Sequence, residues 1–227
     1  MPYDNLPREL LSLLPSKLPR VLEFGCATGR LAWEYRLHNE ETIWHGVDTD
    51  QEALKIAASR ASHVYCDDAL NFLKNHDIGD FDCIILADIL EHLEDPFAFL
   101  QTLVMKIRAG SRRPVIYISI PNVQHWSVLC SLLLGEFHRT DEGILDRTHR
   151  HFWTIRTFVS MLQNLGLSIK TAIPLIPKKF NPICGHWEFQ NQVLNLSQIF
   201  LAHAKVQYNS FQFEAVQFLF EIDTQIG

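Results

Sequence analysis

Short apolar runs alternate along this chain with segments whose apolar residues recur every three or four positions. Val21-Leu22-Glu23-Phe24 predicts a first buried strand, Thr42 to Asp48 a second, His63 to Cys66 a third, Phe81 to Ala87 a fourth, and Val115 to Ile120 a fifth, ended by Pro121-Asn122. Helical spacing separates them, in the segment after Gly29 and in Gln51 to Arg60, Ala69 to Leu73 and Pro96 to Ile107. Leu6 to Leu14 reads as a short amphipathic helix closed by Pro15. Such alternation implies an α/β fold, a doubly wound and mostly parallel sheet with right-handed crossovers and helices on both faces. A ligand then sits at the carboxyl ends of the central strands, where the strand order reverses.

The pattern changes after Asn122. Val123 to Gly135 reads as a helix, and Glu136 to Trp153 is polar, rich in His and Arg, and without a period. Residues 123–153 are therefore expected to form an insertion covering the cleft. Ile155 to Leu165 resumes a helix stopped by Gly166, Leu167 to Ile173 gives a sixth strand, and Pro174 to Gly185 a loop. Glu188 to Ala204 has a helical pattern, and Phe211 to Phe220 is rich in aromatic and β-branched residues, as a seventh strand would be. One domain over residues 1–227 accommodates all of this.

Composition narrows the partners. With 47% hydrophobic residues the chain can build a full core, and its net charge of −6 argues against a phosphate-contacting surface for nucleic acid. Five cysteines, at 26, 66, 83, 130 and 184, lack a Cys-x-x-Cys pair and suit a reduced cytoplasmic protein. Neither a secretory leader nor an apolar run of about 18 residues is seen, so no membrane span is expected.

The candidate chemistry starts at Glu23-x-Gly25-x-Ala27-x-Gly29, where two residues without Cβ permit a sharp turn and a ligand against the backbone. A dinucleotide turn has different glycine spacing, Gly-x-Gly-x-x-Gly, which disfavours an NAD-dependent dehydrogenase. An acid two residues before the first glycine resembles motif I of class I S-adenosylmethionine-dependent methyltransferases. Three further strand ends match the same family pattern: Gly46-Val47-Asp48, Asp67-Asp68-Ala69 and Ala87-Asp88. The resemblance implies a Rossmann-like fold of seven strands with an antiparallel strand from the tail, and S-adenosylmethionine as cofactor. It places cofactor contacts at Glu23, Gly25, Cys26 and Gly29. Asp48 and Thr49 fall at the ribose, Asp68 and Ala69 at the adenine, and Ala87 and Asp88 at the methionyl end. Asp67 competes with Asp68, which is preferred because it directly precedes Ala69. Asp48 could instead cap the helix from Gln51. Ala27 departs from the usual middle glycine; its methyl group narrows the turn without adding charge.

Ser119 to Trp126 and Gly143 to Thr154 resemble a bacterial subgroup of these enzymes that acts on sugars, glycolipids or secondary metabolites. An extended Arg147 to Phe152 would project His149 and His151 from one face. His149, and after it His125, are the candidate bases for a hydroxyl acceptor, giving O-methylation. His149 could instead hold a backbone carbonyl. His92 resembles a structural helix-start residue of many relatives. His149-x-His151 offers two nitrogen ligands, but no carboxylate stands at a recognised metal spacing, so no metal is expected. N-methylation is an alternative. Pro121 to Leu134 also resembles a methyltransferase-like protein of bacterial methionine biosynthesis that partners an acyltransferase, and a regulatory subunit is the second reading. A small-molecule substrate is the expected partner, with a homodimer as an option.

Overall fold

The computed structural model describes residues 7–176 and 211–224. Seven strands, β1 (Arg20–Phe24), β2 (Ile43–Asp48), β3 (His63–Cys66), β4 (Cys83–Ala87), β5 (Val115–Pro121), β6 (Ser168–Leu175) and β7 (Gln217–Asp223), form one sheet. Their order is β3-β2-β1-β4-β5-β7-β6. The first five are parallel, and β7 enters antiparallel between β5 and β6. The order reverses between β1 and β4, which puts the topological switch point over the turn after β1.

Strand alternation divides the core. Leu22 and Phe24 face one side, where they join Phe72 and Leu73 of α4 (Ala69–Asn75), Phe99 and Leu103 of α5 (Pro96–Ala109), and Phe158 of α7 (Ile155–Asn164). The Phe24 ring meets Phe72 and Phe99 edge to face, with centroids 5.7 and 5.2 Å apart. Val21 faces the other side, against Leu10 of α1 (Arg8–Leu13) and Leu31 and Tyr35 of α2 (Arg30–Arg36). Burial on both faces explains why the central strands read as continuous apolar runs.

Polar residues set the helix starts. Asp50 caps α3 (Gln51–Ala57), accepting from the N–H groups of Glu52 and Ala53, so the capping role considered for Asp48 belongs to Asp50. Asp68 and Asp95 cap α4 and α5, and Thr154 with Thr157 forms a capping box on α7.

Two elements differ from expectation. The helix read over Val123 to Gly135 forms only as α6 (Trp126–Leu133). Asn122 holds the Gln124 N–H and the Trp153 carbonyl holds the Val123 N–H, which keeps the preceding residues in a turn. The strand read over Phe211 to Phe220 opens as a short helix, α8 (Phe211–Glu214), and becomes β7 only at Gln217. The buried Asn122 amide donates to the carbonyls of Gln212 and Ala215 at 2.7 and 2.8 Å, binding that stretch to the end of β5 before it can pair. The loop and helix expected from Pro174 to Ala204 lie largely outside the described residues.

Candidate active site

The turn after β1 visits the left-handed region three times, with φ +72° at Gly25, +45° at Ala27 and +71° at Gly29. The N–H groups of Gly25 and Cys26 donate to the Val47 carbonyl, and that of Ala27 donates to Asp48 Oδ2 at 2.7 Å. A Cβ on Gly25 would stand 3.2 Å from the Ile89 side chain; one on Gly29 would stand 3.1 Å from the Ala57 Cα. Gly29 thus lets α2 approach α3, whereas Gly25 opens to the ligand space. At Ala27 an L side chain in this region costs roughly 1–2 kcal/mol, partly offset by a less flexible unfolded chain than glycine gives. Ala27→Gly is expected to raise the unfolding midpoint by roughly 2 °C in thermal denaturation; a fall would show that the position is unstrained.

A cavity of about 870 Å³ lies over the carboxyl ends of β1 to β4. Glu23, Gly25 and Cys26, then Asp48 and Thr49, then Asp68 and Ala69, then Ala87 and Asp88 all line it; Gly29 does not. Four successive strands therefore bring nine of the ten expected cofactor contacts to one space.

The acids there differ in state. Glu23 is buried and accepts from Trp44 Nε1 at 2.8 Å. Burial pushes its carboxyl up to about 8; the Trp44 bond opposes this and the charge of Asp48 adds to it. Asp48 is held in place, with Oδ2 accepting from Ala27 and Oδ1 from the Asp50 N–H at 2.9 Å. Asp68 uses Oδ1 for its cap, while Asp67 Oδ1 accepts from the Asp68 N–H and Asn71 Nδ2. Asp88, at φ +50°, exchanges hydrogen bonds with Ser119 Oγ, and its Oδ1 also accepts from Gln217 Nε2. Desolvation raises the Asp88 carboxyl, against those two hydrogen bonds.

At the other end of the cavity are His92, Leu93 and Glu94 from the loop after β4, and Asp146, Thr148 and Arg150 from the insertion. The Glu91 carbonyl accepts from the N–H groups of Arg150 and His151, which fastens the insertion to that loop. His149 and His125 do not line the cavity. The insertion is folded into turns around Arg139, whose guanidinium donates to the carbonyls of Asp146 and His149, and not into an extended segment. His149 is buried with Nδ1 3.0 Å from the Ile144 oxygen, while His151 Nε2 approaches the Glu94 oxygen, so the two rings diverge. His125 caps α6, its Nδ1 facing Ser127, and burial lowers its pKa to about 4. Among the described residues the imidazole lining the cavity is His92, read in the sequence as a structural helix start. Its sequence signal is an acid and a histidine in the loop that follows the apolar strand β4.

A family profile described as a methyltransferase domain matches residues 3–172. The chain belongs to this methyltransferase domain family. It is 23% identical over 206 residues to the human mitochondrial ubiquinone biosynthesis O-methyltransferase, covering 85% of this chain and 53% of that one. The chain thus spans about half the length of that relative. Among solved structures, a SAM-dependent methyltransferase from Archaeoglobus fulgidus superposes with TM-score 0.63 at 19% identity, covering 95% of this chain and 90% of that one. The plantazolicin methyltransferase BamL, in complex with SAH, superposes with TM-score 0.58 at 21% identity, covering 92% and 78%. These likenesses establish a shared Rossmann-like methyltransferase fold. Among the described residues no helix is long and apolar enough to cross a membrane.

Proposed function

We propose that this chain transfers the methyl group of S-adenosylmethionine to a hydroxyl oxygen of a small molecule. The observation that carries this reading is that four strand-end acid positions open onto one cavity, with the insertion at its far end. Asp48 binds the ribose hydroxyls with the remaining lone pairs of its two oxygens, which are already fixed by backbone N–H groups. Asp68 meets the adenine amino group, Glu23 the cofactor ammonium, and Ala87 with Asp88 line the methionyl end. The sulfonium carries its own leaving group, so the protein contributes mainly alignment of the acceptor oxygen with the methyl carbon. The name of the human relative supports oxygen over nitrogen as the acceptor atom. Glu94, Asp146, Thr148 and Arg150 make the acceptor end polar, which supports a hydroxyl-rich acceptor such as a sugar or a secondary metabolite. Activation of the hydroxyl belongs to the cluster around His92, with His149 acting from behind it and His125 apart from it. The family match and the cavity favour catalysis over the acyltransferase-partner reading. The buried thiols of Cys26 and Cys83 support a cytoplasmic location.

Glu23 gives this reading a pH signature. Its folded pKa is raised from the usual 4.5 to about 8, so the folded chain keeps a proton that the unfolded chain releases above 4.5. The stability it contributes is present at low pH and lost as the pH climbs from 4.5 towards 8. A bound ammonium favours the carboxylate, so S-adenosylhomocysteine binding at pH 7 should release close to one proton from Glu23. Calorimetry in buffers of different ionisation enthalpy reads this release. It should disappear in Glu23→Gln, and equal release by the variant would remove Glu23 from the ammonium site. The reading as a whole is tested by incubating the chain with methyl-labelled S-adenosylmethionine and a small-molecule extract. Label in a hydroxyl-bearing product is expected; its absence from all small molecules would overturn the assignment.

A further inference from the structure

Beside the acceptor end of the cavity, the loop after β4 and the insertion bring Glu91, His92 and His149 together. One ligand atom from each, a carboxylate oxygen and two ring nitrogens, lie within 4.8 Å of one another. Glu91 is fully buried, and neither carboxylate oxygen has a hydrogen-bond partner among the described residues. Buried carboxylates are normally paired, bound to a metal, or protonated. Nδ1 of His149 stands 3.0 Å from the Ile144 carbonyl oxygen, which accepts its N–H and leaves Nε2 as the ring atom available to a ligand. That nitrogen faces Glu91 Oε1 at 4.0 Å. The separation is too long for a hydrogen bond, and a small inward shift of the two side chains reaches the roughly 3.4 Å that separates two ligand atoms on one tetrahedral ion.

The third side chain completes a site open on one side. The His92 ring meets that of His149 edge-on, with centroids 4.8 Å apart. The His149 imidazole is oriented by a backbone carbonyl, as the outer shell of a metal site orients its ligands. His149 and Glu91 are closed off from solvent, while His92 lines the cavity. We propose that Glu91, His92 and His149 bind one divalent first-row transition cation, with its open coordination positions towards the acceptor end of the cavity. Two imidazoles and a carboxylate suit Zn²⁺, Co²⁺ or Mn²⁺, whereas Mg²⁺ and Ca²⁺ prefer oxygen ligands. The set escapes sequence reading because Glu91 and His149 belong to distant segments.

Binding of the cation does not depend on methyl transfer; its chemical consequence rests on the reading proposed above. The acceptor hydroxyl oxygen would bind the cation, its pKa would fall, and its proton would pass to water. The oxygen would then form its bond to the methyl carbon as the carbon–sulfur bond breaks, leaving a methyl ether and a neutral thioether.

The test uses the full chain stripped with a chelator and titrated with Co²⁺, followed by visible absorption and calorimetry. The wild type is expected to bind one Co²⁺, and Glu91→Gln and His149→Ala to weaken binding at least about 100-fold. Cys66→Ala, which removes an exposed thiol, should bind as wild type. Proton NMR of the wild-type Co²⁺ form should show shifted exchangeable N–H signals from two imidazoles, a readout that needs no variant. S-adenosylhomocysteine binding by the Glu91 and His149 variants, within about threefold of wild type, checks their folding and separates failure at this site from failure of the cofactor reading. The proposal is overturned by no stoichiometric binding to wild type or by absent imidazole signals. It is equally overturned if binding survives in folded Glu91→Gln and His149→Ala, or is lost with Cys66→Ala.

Discussion

Asp48→Ala is expected to weaken S-adenosylhomocysteine binding by about 100- to 1,000-fold with little change in secondary structure. The carboxylate is proposed to accept both ribose hydroxyls, and hydrogen bonds to a charged group contribute roughly 1.5–3 kcal/mol each. It also accepts from the Ala27 N–H at 2.7 Å and the Asp50 N–H at 2.9 Å, so its removal loosens the turn that shapes the cavity. Asp48→Asn keeps one acceptor oxygen and should lose about tenfold. Calorimetric titration reads both variants, with circular dichroism as the check on folding. Affinity within about threefold of wild type in Asp48→Ala would remove Asp48 from the ribose site.

The second large effect is on stability. Asn122 is fully buried and makes three hydrogen bonds, donating to Gln212 and Ala215 and accepting from Gln124. Leucine there would leave two carbonyls and one N–H without partners, each costing about 1–3 kcal/mol when buried. Asn122→Leu is therefore expected to lower the unfolding midpoint by about 10 °C. The loss should be felt first in β7, where amide exchange is expected to quicken more than in β1 or β4. A midpoint within about 2 °C of wild type would show that the carbonyls find other partners and that Asn122 is not the clasp between β5 and the tail.

The architecture is legible in the sequence because its causes are local or periodic. Strands buried on both faces must read as apolar runs, and β1, β2, β4 and β5 do. Gly25 and Asp48 stand out because a turn at positive φ and an acid at a strand end are demands made by a few adjacent residues. The tail is less legible. Phe211 to Glu214 has strand-like composition, yet Asn122, far away in the chain, captures the carbonyls around it and a short helix results. Position 50 shows a subtler limit, since Asp48 and Asp50 both flank α3 and only the backbone geometry makes Asp50 the cap. The insertion is least legible. Its segments have no period to fix which way side chains face, and Arg139 gathers its carbonyls into turns that bury His149 behind His92. Nothing within Leu90-Glu91-His92-Leu93 reveals that Glu91 will be sealed beside a histidine from that insertion.

The central claim is that the cavity over β1 to β4 holds S-adenosylmethionine with its methyl group directed at the insertion. A crystal structure of the chain grown with S-adenosylhomocysteine tests it most directly. The account predicts one molecule in the cavity, its ribose hydroxyls on Asp48, its adenine beside Asp68, and its sulfur between Asp88 and the His92 end. A ligand bound elsewhere, or an adenosine placed at the His92 end with Asp48 untouched, would contradict it.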